Sequence, residues 1–141
     1  MYGVILTAHG KFAEGIYSGV KLVAGEQENV RVCNFEEGEG FEEIDGKIKK
    51  ALEELSDYEG VLILTDLAGG TPFNRSVMLT QEVENSLVFS GLNFQMLYTA
   101  IFAQGDLKDV REEIITEGRN GIDYFALDNE DENDIEDGEG I

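Results

Sequence analysis

Residues 60–74 read GVLILTDLAGGTPFN. From Gly60 to Thr65 the run is continuously apolar, without the alternation of a strand that faces water on one side. That is the pattern of a strand covered on both faces, as in a parallel sheet. It breaks at Asp66 into a polar, glycine-rich loop. A helix is expected to begin near Pro72. Thr71 reads as its N-cap, and Pro72 suits the first helical position, where a missing N–H costs nothing. A buried strand running through a short loop into a helix is half of a βαβ unit.

The flanking sequence continues this alternation. Strands are expected at Tyr2–Ala8, Val30–Phe35 and Ser86–Ser90, with a short final one at Ile122–Leu127. Phe12, Ile16, Val20 and Val23 recur at helical spacing, and Gly25 is a plausible stop. Phe41, Ile44, Ile48, Ala51, Leu52 and Leu55 mark a second amphipathic helix, and further helices are expected over Asn93–Ala103 and Leu107–Gly118. Alternating strands and helices predict an α/β fold: a doubly wound, mostly parallel sheet with helices on both faces. No internal repeat is present.

The chain has 141 residues, with 30 Asp+Glu, 10 Lys+Arg and a net charge of −20. A nucleic-acid reader needs a basic face, and an anionic membrane would repel this charge. Eight of the fourteen residues from Asp128 to Ile141 are acidic and none is basic. That segment is read as a solvated tail. It leaves 22 acidic and 10 basic residues on a domain over 1–127, a net of −12. The tail does not match a calcium loop: placing Gly138 at its sixth position puts Asn133 and Ile135 where carboxylates are required. One Cys and one His supply no disulfide and no Cys/His metal cluster. Cys33 reads as a small buried hydrophobe. With no leader pattern and no apolar run of membrane-spanning length, a cytoplasmic protein is expected.

Open α/β sheets place ligands at the carboxyl ends of their strands. There the sequence puts His9, its only histidine, after the first strand, and Asp66 after the third. If the two strands are neighbours, the residues can meet. A carboxylate on one ring nitrogen selects the imidazole tautomer and leaves the other nitrogen bare as a nucleophile. The loop through Gly69, Gly70 and Thr71 adds a helix start whose free N–H groups and dipole favour a phosphoryl group. Phosphoryl transfer requires little beyond such positioning and charge stabilisation. Neither a P-loop nor a G-x-G-x-x-G motif after a strand is present. A structural role for His9 in a non-catalytic binding module stays open on these residues alone.

Three stretches carry a resemblance: VILTAHGKFAEGI near the start, GEQENV at 25–30 and VLILTDLAGGTPFN at 61–74. Together they resemble the mannose-type EIIA component of the bacterial phosphoenolpyruvate-dependent sugar phosphotransferase system, over Met1 to about Phe125. GLNFQML at 91–97 is also similar, although the family often has Pro where this chain has Gln95 and an aromatic residue where it has Ala68. The resemblance implies that His9 accepts a phosphoryl group from phospho-HPr on Nε2 and passes it to EIIB, with Asp66 on the Nδ1 side. Gly70 and Thr71 would line the phosphoryl group. EIIC and EIID in the membrane would be reached only indirectly, and no metal or cofactor would be needed. It further implies a homodimer in which Ile122–Leu127 crosses to the partner's sheet and runs antiparallel. An acidic surface suits partners with basic faces, with encounter slowing as salt rises. Two alternatives stand beside it. The phosphotransfer subunit of a dihydroxyacetone kinase also uses an early strand-end His, but lacks the GGTPFN pattern. A receiver domain phosphorylated on Asp66 needs acidic residues where Thr7-Ala8-His9 stands.

Overall fold

The computed structural model describes residues 1–127. The acidic segment 128–141, read above as a tail, lies outside the described residues. Four strands form one parallel sheet: β1 (Gly3–His9), β2 (Val30–Phe35), β3 (Val61–Thr65) and β4 (Ser86–Phe89), in the order β2-β1-β3-β4. Five helices connect or follow them: α1 (Phe12–Ala24), α2 (Phe41–Glu54), α3 (Thr71–Leu79), α4 (Phe94–Ile101) and α5 (Leu107–Asn120). The α/β reading and its helix-strand alternation hold.

Burial follows strand position. β1 and β3 are central, and every residue of both is buried except His9 at the tip of β1. The edge strands β2 and β4 are only partly buried. Side chains alternate between two core layers. Val4, Leu6, Ala8, Leu62 and Leu64 face α1, α4 and α5. Ile5, Ile63 and Cys33 face α2, whose Ile44, Ile48 and Ala51 cover them, with Leu79 of α3 alongside. Burial pushes the Cys33 thiol up to about 11, so it stays a protonated, unreactive filler of this layer. Among the described residues no helix is long and apolar enough to cross a membrane.

The strand order places β1 between β2 and β3. β1 runs out to α1 on one face of the sheet and its neighbour β3 to α3 on the other, so the connections leaving these adjacent carboxyl ends diverge. This is the switch point where such sheets open a crevice.

One expectation needs correction. Thr71 is not the cap of α3: Gly70 holds that place in extended geometry, and the Asn74 N–H donates to the Gly70 carbonyl at 2.9 Å to close the first turn. The side-chain preference for Thr at caps lost to a backbone that must pass close to its neighbours. Ile122–Leu127, expected to join a partner's sheet, adds no strand to this chain's own sheet among the described residues. The segment lies off the sheet, and Ile122, Tyr124, Phe125 and Leu127 are exposed. An extended segment becomes a strand only where a neighbouring backbone completes its hydrogen bonds, and none is supplied here.

Gly60 shows how tightly the entrance to β3 is built. A Cβ there would fall 2.2 Å from the Asn85 carbonyl oxygen, which accepts from the Val61 N–H at 3.0 Å. Gly60→Ala is therefore expected to destabilise the protein by about 1–3 kcal/mol through overpacking against backbone. Urea unfolding checks this. An unchanged midpoint would show that the β3–β4 entrance yields without cost.

Candidate functional site

β1 ends at His9 and β3 at Thr65, and the register pairs Thr7 with Thr65. Asp66, the first residue past β3, therefore comes level with Ala8, one residue short of His9 and within reach of it. The Asp66 Oδ2 accepts twice from His9: from the backbone N–H at 3.1 Å and from ring Nδ1 at 2.9 Å. A carboxylate can only accept, so Nδ1 carries the hydrogen and Nε2 is left with its lone pair. The His9 side chain is 47% exposed and that of Asp66 20% exposed. The base of the pair is sheltered while the imidazole reaches solvent. Partial burial works to raise the Asp66 carboxyl, but the hydrogen bonds from the His9 ring and backbone outweigh it and hold the carboxyl below its ordinary value. It stays ionised through the neutral range.

The Asp66 main chain is fixed from the other side. Its carbonyl accepts from the Gly91 N–H at 3.2 Å, and the Thr65 carbonyl accepts from Leu92 at 3.0 Å. The Thr65 hydroxyl donates to the Phe89 carbonyl at 2.6 Å. The exits of β3 and β4 are thus stitched together beneath the site.

The loop from Leu67 to Gly70 brings the start of α3 against the imidazole. A Cβ on Gly70 would lie 2.8 Å from His9 Cε1 and 3.6 Å from Nε2. Glycine is required there by close approach, since only a bare Cα clears the ring. The Gly70 N–H is already given to the Leu67 carbonyl at 3.0 Å, so Gly70 contributes space rather than a donor. The N–H groups of Thr71 and Phe73 open α3 and have no carbonyl one turn behind them. Pro72, between them, has no N–H at all. The first turn of α3 therefore presents a small donor cluster beside Nε2, reinforced by the positive end of the helix dipole.

All four sequence-predicted site residues, His9, Asp66, Gly70 and Thr71, gather at this one crevice. Two further features were not read from the sequence. The Phe35 ring stands edge-to-face with the His9 ring, centroids 5.9 Å apart at 71°. The parallel register pairs these residues, each the last of its strand, and that register could have pointed to the contact. Arg75 on α3 reaches Asp45 on α2 with two hydrogen bonds of 2.9 and 2.8 Å, and its guanidinium lies 4.8 Å from the centre of the Phe41 ring. This clasp holds the helix whose start lines the site. The departures noted above fall at harmless positions for the pair. Ala68 is on the exposed loop, and Gln95 is in the first turn of α4, where Pro and Gln are both accommodated.

Comparison with known proteins points to one family. A family model described as the phosphotransferase-system fructose IIA component matches residues 3–115. The chain is 32% identical over 122 residues to the mannose-specific EIIAB component of Escherichia coli, covering 84% of this chain and 38% of that protein. It thus spans less than two fifths of that relative's length. It is 30% identical to the fructose-specific EIIA component of Bacillus subtilis, covering 69% of this chain and 66% of that one. Among solved structures, an EIIA component from Streptococcus agalactiae superposes with a TM-score of 0.78 at 36% identity, covering 88% of this chain and 97% of that one. A mannose/sorbose-specific IIA subunit from Enterococcus faecalis shares the fold, with a TM-score of 0.82 at 23% identity, covering 92% and 98%.

The Asp45–Arg75 clasp gives a pH signature. The hydrogen bonds from Arg75 outweigh burial and, with its charge, hold the Asp45 carboxyl below its ordinary value. Its contribution is therefore present above the unfolded-state carboxylate value and lost as pH falls through the lowered one. At neutral pH Asp45→Asn is expected to cost about 1 kcal/mol. The gap from wild type should close as pH drops below the usual carboxylate range, as read by urea unfolding at stepped pH. A gap that stays constant would contradict the assignment.

Proposed function

The chain belongs to the mannose-type EIIA family of the bacterial sugar phosphotransferase system, and from that premise we propose that it is a phosphocarrier working through a phosphohistidine at His9. The observation that carries the reading is the His9–Asp66 pair: Nδ1 is satisfied by a carboxylate at 2.9 Å, and Nε2 is bare beside the start of α3.

In the proposed transfer the Nε2 lone pair attacks the phosphorus of phosphohistidine on HPr. The new N–P bond forms as the old one breaks, and the released electron pair stays on the donor imidazole. The His9 ring gains positive character as it attacks. The Nδ1–H···Asp66 bond strengthens to meet it, as a carboxylate does for any imidazolium. The first-turn N–H groups of Thr71 and Phe73, and the Thr71 hydroxyl, are the donors available for the phosphoryl oxygens. Gly70 lets those donors approach. Donor and acceptor are both phosphohistidines, so the protein's task is alignment and charge stabilisation rather than driving force. The reverse geometry serves release to EIIB, which couples the carrier indirectly to EIIC and EIID in the membrane. The proposed place of action is the cytoplasm.

The unit of function in this reading is a homodimer. β4 has an open edge, and beside it lies a groove lined by Phe73, Phe89, Met96 and Ile115. The exposed apolar segment Ile122–Leu127 has the length and composition of a strand for that place. We assign it to a second copy's sheet, antiparallel to β4, which would cover both the unpaired edge and the exposed side chains.

Incubation with phosphoenolpyruvate, Enzyme I and HPr should add one phosphoryl group to the wild-type chain, read by intact mass, and none to His9→Ala. Asp66→Asn should still fold but transfer about 10²–10⁴-fold more slowly, because an amide that donates to Nδ1 would leave the hydrogen on Nε2. Unphosphorylated wild type, or a phosphorylated His9→Ala, would overturn the reading. Sedimentation should give a dimer for the full chain and a monomer after removal of residues 122–141. A dimer that survives the truncation would refute the strand exchange.

A further inference from the structure

The His9 imidazole is enclosed on three sides. Asp66 holds Nδ1, and the bare Cα of Gly70 lies against Cε1. The third wall is Phe35. Its backbone is locked to the residue after His9, since the Gly10 N–H donates to the Phe35 carbonyl at 2.8 Å. Its side chain packs into the core layer beneath α2, which keeps the ring from swinging away.

Resting on the phosphocarrier reading for its role in transfer, we infer that Phe35 is a positioning residue: its ring sets the tilt of the His9 imidazole so that Nδ1 stays on Asp66 and Nε2 faces the open side. The torsion between Cβ and the imidazole is broad and roughly two-fold. Rotation about it exchanges Nδ1 with Cδ2, which would break the Asp66 bond and turn the nucleophilic nitrogen away. One hydrogen bond on a half-exposed ring leaves that rotation open. Contacts on two sides restrict it: Gly70 lies against the Cε1 edge from the β3 side, and the Phe35 ring packs edge-to-face from the β2 side. An aromatic wall has a defined edge-to-face preference that an aliphatic one lacks. Phe35 touches neither phosphoryl group nor donor in this role; it acts through His9.

Phe35→Leu fills much of the same volume without the ring, Phe35→Met does so with a longer chain, and Phe35→Tyr restores the ring. Two readouts apply to each: the nitrogen NMR spectrum of the His9 imidazole, and the single-turnover rate at saturating phospho-HPr. Wild type should show one tautomer with its hydrogen on Nδ1. The Leu variant should show a mixture and lose about tenfold in rate, with donor affinity unchanged. Tyr should return both to wild type. If Leu does not fold, Met gives the same test. A folded Leu or Met variant with the wild-type tautomer would overturn the inference. So would a rate loss without a tautomer change, which would place Phe35 in donor docking instead. The spectrum does not require phosphorylation, so a wild type that accepts no phosphoryl group would refute the phosphocarrier reading while the tautomer comparison still decides the role of Phe35.

Discussion

The hydrogen bond from His9 Nδ1 to Asp66 is the interaction on which the rest of the site depends. It spans the central strand pair, so its 2.9 Å length is set by sheet register rather than by the two side chains alone. The same carboxylate oxygen takes the His9 backbone N–H, which ties ring and main chain to one acceptor. Everything else at the crevice either holds that pair or borders it. The Thr65 and Gly91–Leu92 contacts fix the exit of β3, Gly70 clears the ring, and the Arg75 clasp anchors α3. A site made this way needs no large pocket. It needs a rigid sheet edge and one side chain presented past it.

Such a site also explains the distribution of apolar surface. β1 and β3 are sealed between two core layers, so the register that aligns His9 with Asp66 is strongly specified. The edges are less settled. Among the described residues β4 keeps its outer backbone unpaired, and Ile122, Tyr124, Phe125 and Leu127 are exposed just beyond α5. An open edge next to unsatisfied apolar chain is unstable to association. In the proposed dimer the two defects cover each other.

Much of this was legible in the sequence because it is local. Continuous apolar runs named the central strands, helical spacing named α1 and α2, and the strand-end rule singled out His9 and Asp66. What escaped depends on contacts between distant segments. Gly70 rather than Thr71 caps α3, because the loop must pass within van der Waals reach of an imidazole sixty-one positions earlier in the chain. Phe35 and the Asp45–Arg75 clasp likewise depend on which strand ends and helices become neighbours. The last strand is a different case: its pattern is strand-like, and in the proposed dimer its place is on a second copy's sheet.

The central claim is that His9 reacts through Nε2 while Nδ1 keeps its hydrogen on Asp66. The most direct test is phosphorus–nitrogen coupling in the ¹⁵N-histidine-labelled, phosphorylated protein. The account predicts coupling to Nε2 alone, with the Nδ1 hydrogen still present and protected from exchange. Coupling to Nδ1, or a phosphoryl group on any other residue, would contradict it.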